Sequence, residues 1–273
     1  MKIISTPADL KEELKTNTKT IGFVPTMGAL HEGHISLIKE ARKNNELVVV
    51  SIFVNPTQFL EGEDLSKYPR RDDADKKICD LSGVDILFFP HAKDIYSDDE
   101  VSVNAPNVRG YILEGCSRPG HFNGVLTVVN KLLNIVSPTN AYFGKKDAQQ
   151  LNLITLMVKQ LFMNVNIVAV DTKRDSDGLA MSSRNVYLSK EQRVEALKIS
   201  KSLQVAFGMV NSGHLQTKEI IQKMKDTLSG LEIFYVAIVN RDFEEIQTMQ
   251  IRNTIILVEV KVGTTRLLDN IWL

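Results

Sequence analysis

Pro25-Thr26-Met27-Gly28-Ala29-Leu30-His31-Glu32-Gly33-His34 lies between an apolar run at residues 21–24 and a helical pattern that begins near Ile35. The order is strand, tight turn, helix N-terminus. Such a junction offers free backbone N–H groups and the positive end of a helix dipole, so it suits phosphate. Two imidazoles three residues apart add donors that can follow charge between phosphate oxygens. Gly28 and Gly33 allow close backbone approach to a ligand. The same residues also fit a plain helix start carrying two surface histidines, and a lone His-x-Gly-His does not decide between the two.

Outward from this stretch, β-rich apolar runs alternate with helical patterns. Strands are predicted at 20–24, 47–54, 86–89, 141–143 and 165–170, and helices at 35–44, 71–81, 124–136 and 147–162. Leu47-Val48-Val49-Val50 is apolar on both faces, as expected of a strand covered by helices on each side. The alternation predicts an α/β, Rossmann-like, doubly wound parallel sheet, whose ligands bind outside the carboxyl ends of the strands. His31, His34, Asn55, Gln58 and Lys146 all fall at such ends. Beyond residue 176 the pattern changes to helices at 190–210 and 217–228, then strands at 233–239 and 254–262 with a third return at 264–270. Two domains are therefore expected: 1–175, α/β, and 176–273, a smaller α+β unit, joined by the polar segment 172–178.

At 273 residues, 43% apolar and 24% charged, the composition is that of a globular protein with a sizeable core. Lys and Arg number 33, as do Asp and Glu, so no global field recruits nucleic acid or a membrane surface. No apolar stretch approaches the roughly 20 residues of a spanning helix, and the start of the chain lacks the pattern of a signal peptide. Cys79 and Cys116 stand alone, which fits reduced thiols in a cytoplasmic protein; Cys116 is taken as a small neutral filler. His91 and His214 are taken as surface residues. No Gly-x-Gly-x-x-Gly, Walker A loop, His-Glu-x-x-His or Cys-x-x-Cys pair occurs, which argues against nicotinamide, P-loop and dedicated zinc chemistry.

Other residues fit phosphate and small-acid chemistry. Gly144-Lys145-Lys146-Asp147 follows a short strand and opens a helix. There Lys146 can place charge on a phosphate, while Asp147 can cap the helix or accept ribose hydroxyls. In Met181-Ser182-Ser183-Arg184, two hydroxyls beside a guanidinium suit multidentate phosphate recognition; capping serines in a helix-entry loop are the alternative. Gln58 and Gln150 are neutral amides that donate and accept at once, although isolated glutamines are more often plain surface residues.

Further segments follow in order: Phe53-Val54-Asn55-Pro56-Thr57-Gln58-Phe59, Leu113-Glu114-Gly115 leading to Arg118-Pro119-Gly120-His121-Phe122, Phe143-Gly144-Lys145-Lys146-Asp147-Ala148-Gln149-Gln150, and Asp177-Gly178-Leu179-Ala180-Met181-Ser182-Ser183-Arg184-Asn185. With the opening decapeptide, they make residues 1–190 resemble the pantoate–β-alanine ligase (pantothenate synthetase) family of the His-x-Gly-His nucleotidyltransferase superfamily. The resemblance implies ATP-dependent condensation of pantoate with β-alanine through a pantoyl adenylate, supplying a coenzyme A precursor. It places His34, His31 and Lys146 at the chemistry. Met27, Gly28, Gly144, Asp147, Lys173 and residues 181–184 would face ATP, and Gln58, Gln150, Asn55 and Arg118 would face the other substrates. It also implies Mg²⁺ held by phosphate oxygens and water, a homodimer formed through the larger domain, and a loop at 181–184 that closes over nucleotide. Asn123 and Lys173 depart from the family's usual residues, so a charge at 123 and a side-chain contact with adenine at 173 are not expected. A nucleotidyltransferase adenylylating a phosphorylated cofactor precursor shares His-x-Gly-His and is the competing reading.

Overall fold

The β-branched run beginning at Leu47 becomes an inner strand of a parallel sheet. The computed structural model describes residues 1–273. Strands β1 (Lys2–Ile4), β2 (Ile21–Thr26), β3 (Leu47–Ile52), β4 (Ile86–Phe88), β5 (Asn140–Gly144) and β6 (Asn166–Val170) pair in the order β1-β4-β3-β2-β5-β6, all parallel. Successive side chains alternate between two cores. Phe23, Val49 and Phe88 pack on one face with Leu10, Leu126 and Ile154. Val24, Val48, Val50 and Leu87 pack on the other with Ile38, Ala41 and Cys79. These partners come from α1 (Pro7–Leu14), α2 (Glu32–Asn44), α3 (Asp72–Leu81), α6 (His121–Val136) and α7 (Ala148–Gln160), with short turns α4 (Ala92–Ile95) and α5 (Glu114–Ser117) between them. The doubly wound expectation holds.

Chain order reverses at β2, which has β3 on one side and β5 on the other. At such a switch point the connections leave in opposite directions and open a crevice beyond the strands' carboxyl ends. The loop after β2 carries His31 and leads into His34, and the loop after β5 carries Lys146.

Several boundaries differ from those read in the sequence. β2 runs on to Thr26 and α2 begins at Glu32, so His34 lies inside the first helical turn and His31 is its N-cap. β3 stops at Ile52 and β4 at Phe88, while α6 begins at His121. β1 and α1 are additional to the predicted elements. Three residues are too few to display alternation, yet Thr6-Pro7 is a usable start signal, since the Thr6 hydroxyl accepts from the Asp9 N–H. His91 and His214 are exposed as expected, but so is Cys116, which fills nothing.

The remaining chain forms α8 (Lys190–Asn211), α9 (Thr217–Thr227) and an antiparallel sheet of β7 (Glu232–Asn240), β8 (Thr254–Val262) and β9 (Thr265–Trp272), in that order. On β8, Ile256, Val258 and Val260 face α8 and α9. Ile255 and Leu257 face the opposite way and pack with Ala148 of α7. Burial on both faces explains why residues 255–258 form a continuous apolar run, with alternation only at Glu259 and Lys261. Residues 172–178 are not a loose linker: Arg174 pairs with the buried Asp269 of β9 and bridges to Ala180.

Glu259 lies on β8 and is only 1% exposed. One carboxylate oxygen meets the Ser117 hydroxyl at 3.1 Å, and the other lies 3.5 Å from Nε of Arg266. Burial, reinforced by the charge of Glu114, raises its pKa to about 7, against the pull of Arg266, Ser117 and Arg118. A folded pKa above the unfolded one means the native state holds more protons between these values. This group's contribution to stability therefore falls as pH rises from about 4.5 to about 7, by an amount on the order of 3 kcal/mol. Glu259→Gln should gain stability relative to the parent on going from pH 5 to pH 8. An unchanged difference in unfolding midpoint at the two pH values would contradict this.

Candidate active site

The two histidines cap their own helix. Nδ1 of His31 accepts from the Gly33 N–H at 3.1 Å, and Nδ1 of His34 accepts from the His31 N–H at 3.3 Å. This is a capping box built from imidazoles, where hydroxyl and carboxamide side chains are usual. Because each Nδ1 is an acceptor, each ring carries its proton on Nε2. Burial lowers the pKa of His34 to about 3, with His31 beside it adding to the effect. Burial and then Lys146 lower that of His31, against the opposing pull of nearby carboxylates. Both rings are neutral near pH 7, 4.1 Å apart, and line one cleft. Gly33 is required sterically, since a Cβ there would lie 2.8 Å from Cε1 of His31.

The expectation of free backbone donors is corrected for residues 28–30. Ala29 and Leu30 donate to the carboxylate of Asp75 at 2.7 and 2.8 Å, and Gly28 donates to the Thr26 hydroxyl. Gly28 does not line the cleft; its φ of +83° shapes the turn. An incoming phosphate would meet imidazole Nε2–H groups instead of these amides. Asp75, buried on α3, escapes sequence reasoning because nothing in its local sequence links it to residues 29 and 30.

The cleft, about 230 Å³, adjoins a second chamber of about 120 Å³, and Met27, Gln58, Lys146, Asp147, Gln150, Ser182 and Arg184 border both. Gln58 is held at each end: Oε1 accepts from Asn55 at 3.1 Å, and Nε2 reaches the Met27 sulfur at 3.1 Å. Asn55 is 1% exposed and spends its other donor on the Gly124 carbonyl, while its oxygen accepts from Thr57 and Tyr96. Asn55 thus lines the cleft with its amide engaged in positioning Gln58.

The same holds for Arg118, whose guanidinium is taken up by Glu63, Glu114, His121 and the Gln58 carbonyl. It borders the second chamber as part of a buried charge cluster, without a donor left for a direct ligand contact. Gln149 and Gln150 divide in the same way. Gln149 is buried and bonds the Glu114 amide and the Arg109 and Ile112 carbonyls, whereas Gln150 lines both chambers.

Lys146 follows β5 and donates to the Asp147 carboxylate at 3.2 Å. Asp147 sits at the N-cap of α7 without making a side-chain capping bond, so the capping alternative does not apply. Lys146 keeps its carboxyl below the usual range despite desolvation. The loop is gripped from the C-terminal sheet, where Asn270 Nδ2 donates to the Lys145 and Lys146 carbonyls at 3.0 and 2.6 Å. Trp272 Nε1 donates to the Lys145 carbonyl at 3.3 Å. Asn270 belongs to no motif. A polar Asp269-Asn270 pair set between Leu267-Leu268 and Ile271-Trp272 is the only signal for it.

Residues 183–187 form a 3-10 turn, with Ser182 accepting from the Arg184 N–H. Met181, Ser182, Ser183 and Arg184 line the cleft beside Gly144 and Lys173. The Lys173 carbonyl accepts from the Met181 N–H, which ties the segment after β6 to the loop. Met27, His31, His34, Gln58, Gly144, Lys146, Asp147, Gln150, Lys173 and residues 181–184 thus surround one cavity. It joins neutral donors, a cation and a guanidinium on one side to neutral amides on the other. That is a setting for moving charge between phosphate oxygens while holding an organic acid.

The family model described as pantoate-beta-alanine ligase matches residues 2–272. The pantothenate synthetase of Sulfurimonas denitrificans is 67% identical over 273 residues, and that of Aliarcobacter butzleri 56% identical, each with both chains fully covered. The crystal structure of pantothenate synthetase from Thermus thermophilus superposes with a TM-score of 0.96 at 38% identity, covering 100% of this chain and 99% of that one. The pantoate-beta-alanine ligase of Francisella tularensis, complexed with beta-gamma ATP and beta-alanine, gives 0.84 at 39% identity, with coverage of 100% and 97%. Motif, fold and whole-length similarity agree: the chain belongs to the pantoate–β-alanine ligase family.

Proposed function

We propose that this enzyme condenses pantoate with β-alanine at the expense of ATP, in two steps within the switch-point crevice. A pantoate carboxylate oxygen bonds to the α-phosphorus of ATP, and the bond to the bridging oxygen breaks, releasing pyrophosphate. The uncharged amine of β-alanine then bonds to the acyl carbon of the adenylate. The acyl–oxygen bond breaks, AMP leaves with that oxygen, and the amine gives up a proton. The observation that carries this reading is the gathering of two imidazole Nε2–H donors, Lys146 and residues 182–184 around one cavity.

His34, whose ring burial keeps neutral, donates a hydrogen bond as charge develops on phosphate. His31 and Lys146 support it. Met27, Gly144, Asp147, Lys173 and Met181 border the nucleotide's space, and Ser182, Ser183 and Arg184 serve its phosphates. No group of three or more His, Cys, Asp or Glu side chains converges as a metal cage. Mg²⁺ in this reading enters with the triphosphate, held by its oxygens and water. Residues 1–175 form the nucleotide and pantoate domain and 176–273 a lid docked on it. The family resemblance further suggests a homodimer, and two free thiols suit the cytoplasm.

Gln150 serves pantoate, because its amide faces the cavity while Gln149 carries the structural bonds. Gln150→Ala should raise the pantoate requirement by about tenfold, as for loss of one or two hydrogen bonds, and leave ATP affinity nearly unchanged. Equal losses for both ligands in steady-state kinetics and ATP titration would contradict that role. The reaction itself is tested by exchange of labelled pyrophosphate into ATP. Exchange that needs pantoate and not β-alanine supports it. Exchange with a phosphorylated cofactor precursor in place of pantoate would point to the nucleotidyltransferase reading.

A further inference from the structure

The guanidinium assigned to phosphate already holds an anion. Nε and Nη2 of Arg184 donate to the two carboxylate oxygens of Asp64 at 3.0 and 3.1 Å, a fork-on-fork pair. Asp64 opens a 3-10 turn, Asp64–Lys67, whose neighbours hold the same loop. The Tyr68 and Ser183 hydroxyls lie 3.1 Å apart, and the Tyr187 hydroxyl donates to the Lys67 carbonyl at 2.9 Å. Ser183 and Arg184, both expected to meet the triphosphate, are thus engaged by one segment. That segment is anchored separately, since the adjacent Glu63 is bound by Arg118 and by Arg266 of β9.

A bidentate carboxylate occupies an arginine edge with the same planar geometry that a phosphate uses. It also spares a partly buried guanidinium from standing unpaired. We propose that Asp64 is a specificity-determining residue that stands in for the polyphosphate, so that a ligand must displace it to take the Nε–Nη2 edge of Arg184. The chemical class favoured is one with several adjacent phosphate oxygens, such as a triphosphate or pyrophosphate, which can out-compete a single carboxylate. A monophosphate is a poorer competitor, so return of Asp64 to Arg184 assists departure of AMP. The Glu63 anchor keeps Asp64 close by after displacement. The proposal rests on residues 182–184 binding phosphate.

Calorimetric titration of inorganic pyrophosphate and of AMP into the parent, Asp64→Asn and Arg184→Ala proteins tests it. Asp64→Asn should bind pyrophosphate at least about fivefold more tightly, the size expected from freeing one ion pair, and discriminate less between pyrophosphate and AMP. A merely structural Asp64, or one that orients Arg184 toward phosphate, predicts unchanged or weaker binding, and either result overturns the proposal. Tyr68→Phe, which keeps the ion pair and frees only Ser183, should leave pyrophosphate affinity nearly at the parent value; tightening equal to that of Asp64→Asn would assign the effect to the segment as a whole and overturn it. Arg184→Ala should lose pyrophosphate affinity. If it binds as the parent does, the phosphate role of the loop falls, and with it this inference. If it weakens while Asp64→Asn fails to tighten, only the inference falls.

Discussion

Replacing His34 by alanine should lower adenylate formation by about 10²–10³-fold, the cost of one preorganised donor to developing charge, about 2.7–4 kcal/mol. Alanine also removes the acceptor for the His31 N–H, so some stability will go with it, about 1 kcal/mol for a lost helix cap. Two further variants separate these effects. Asparagine can put its amide oxygen near the position of Nδ1, restoring the cap without a donor at Nε2. Glutamine can put an amide N–H near the position of Nε2. His34→Asn should therefore be stable and slow, and His34→Gln faster than either other variant. The measurements are the rate of pyrophosphate exchange and the thermal midpoint of each protein. If His34→Asn keeps near-normal exchange, the catalytic assignment is wrong and the imidazole is only a cap.

Lys146→Met should be comparably damaging, by about 10²–10³-fold in kcat/KM for ATP, because two changes act together. The ammonium leaves the phosphate site, and the Asp147 carboxylate that it neutralised remains facing polyphosphate. The double variant Lys146→Met with Asp147→Asn should recover part of the lost ATP affinity while kcat stays low. Equal affinity in the single and double variants would show that Asp147 exerts no repulsion there.

Much of this arrangement could be read in the sequence, for identifiable reasons. Runs such as residues 47–50 are apolar on both faces only when helices cover both sides of a sheet, so the parallel core followed. Local motifs showed which loops lie at the strands' carboxyl ends, and topology alone then gathered 31, 34, 55, 58 and 146. Sequence could not separate residues that face the cavity from those that brace it. Asn55 and Arg118 lie in the same motifs as Gln58, yet their hydrogen bonds are used up within the protein. Equally hidden were partners distant along the chain. Asp75 ties down the Ala29 and Leu30 amides, and Asn270 holds the Lys146 backbone from another sheet. The capping role of two imidazoles could not be inferred either, since histidine is not among the usual capping residues.

The central claim is that an acyl adenylate forms in this crevice, and the path of one oxygen atom tests it most directly. Pantoate labelled with ¹⁸O in its carboxylate is turned over with ATP and β-alanine, and the products are weighed by mass spectrometry. Attack of the carboxylate on the α-phosphorus, followed by cleavage of the acyl–oxygen bond, predicts one ¹⁸O in each AMP formed and none in pyrophosphate. AMP free of label, with ¹⁸O instead in pyrophosphate or in inorganic phosphate released alongside ADP, would contradict it.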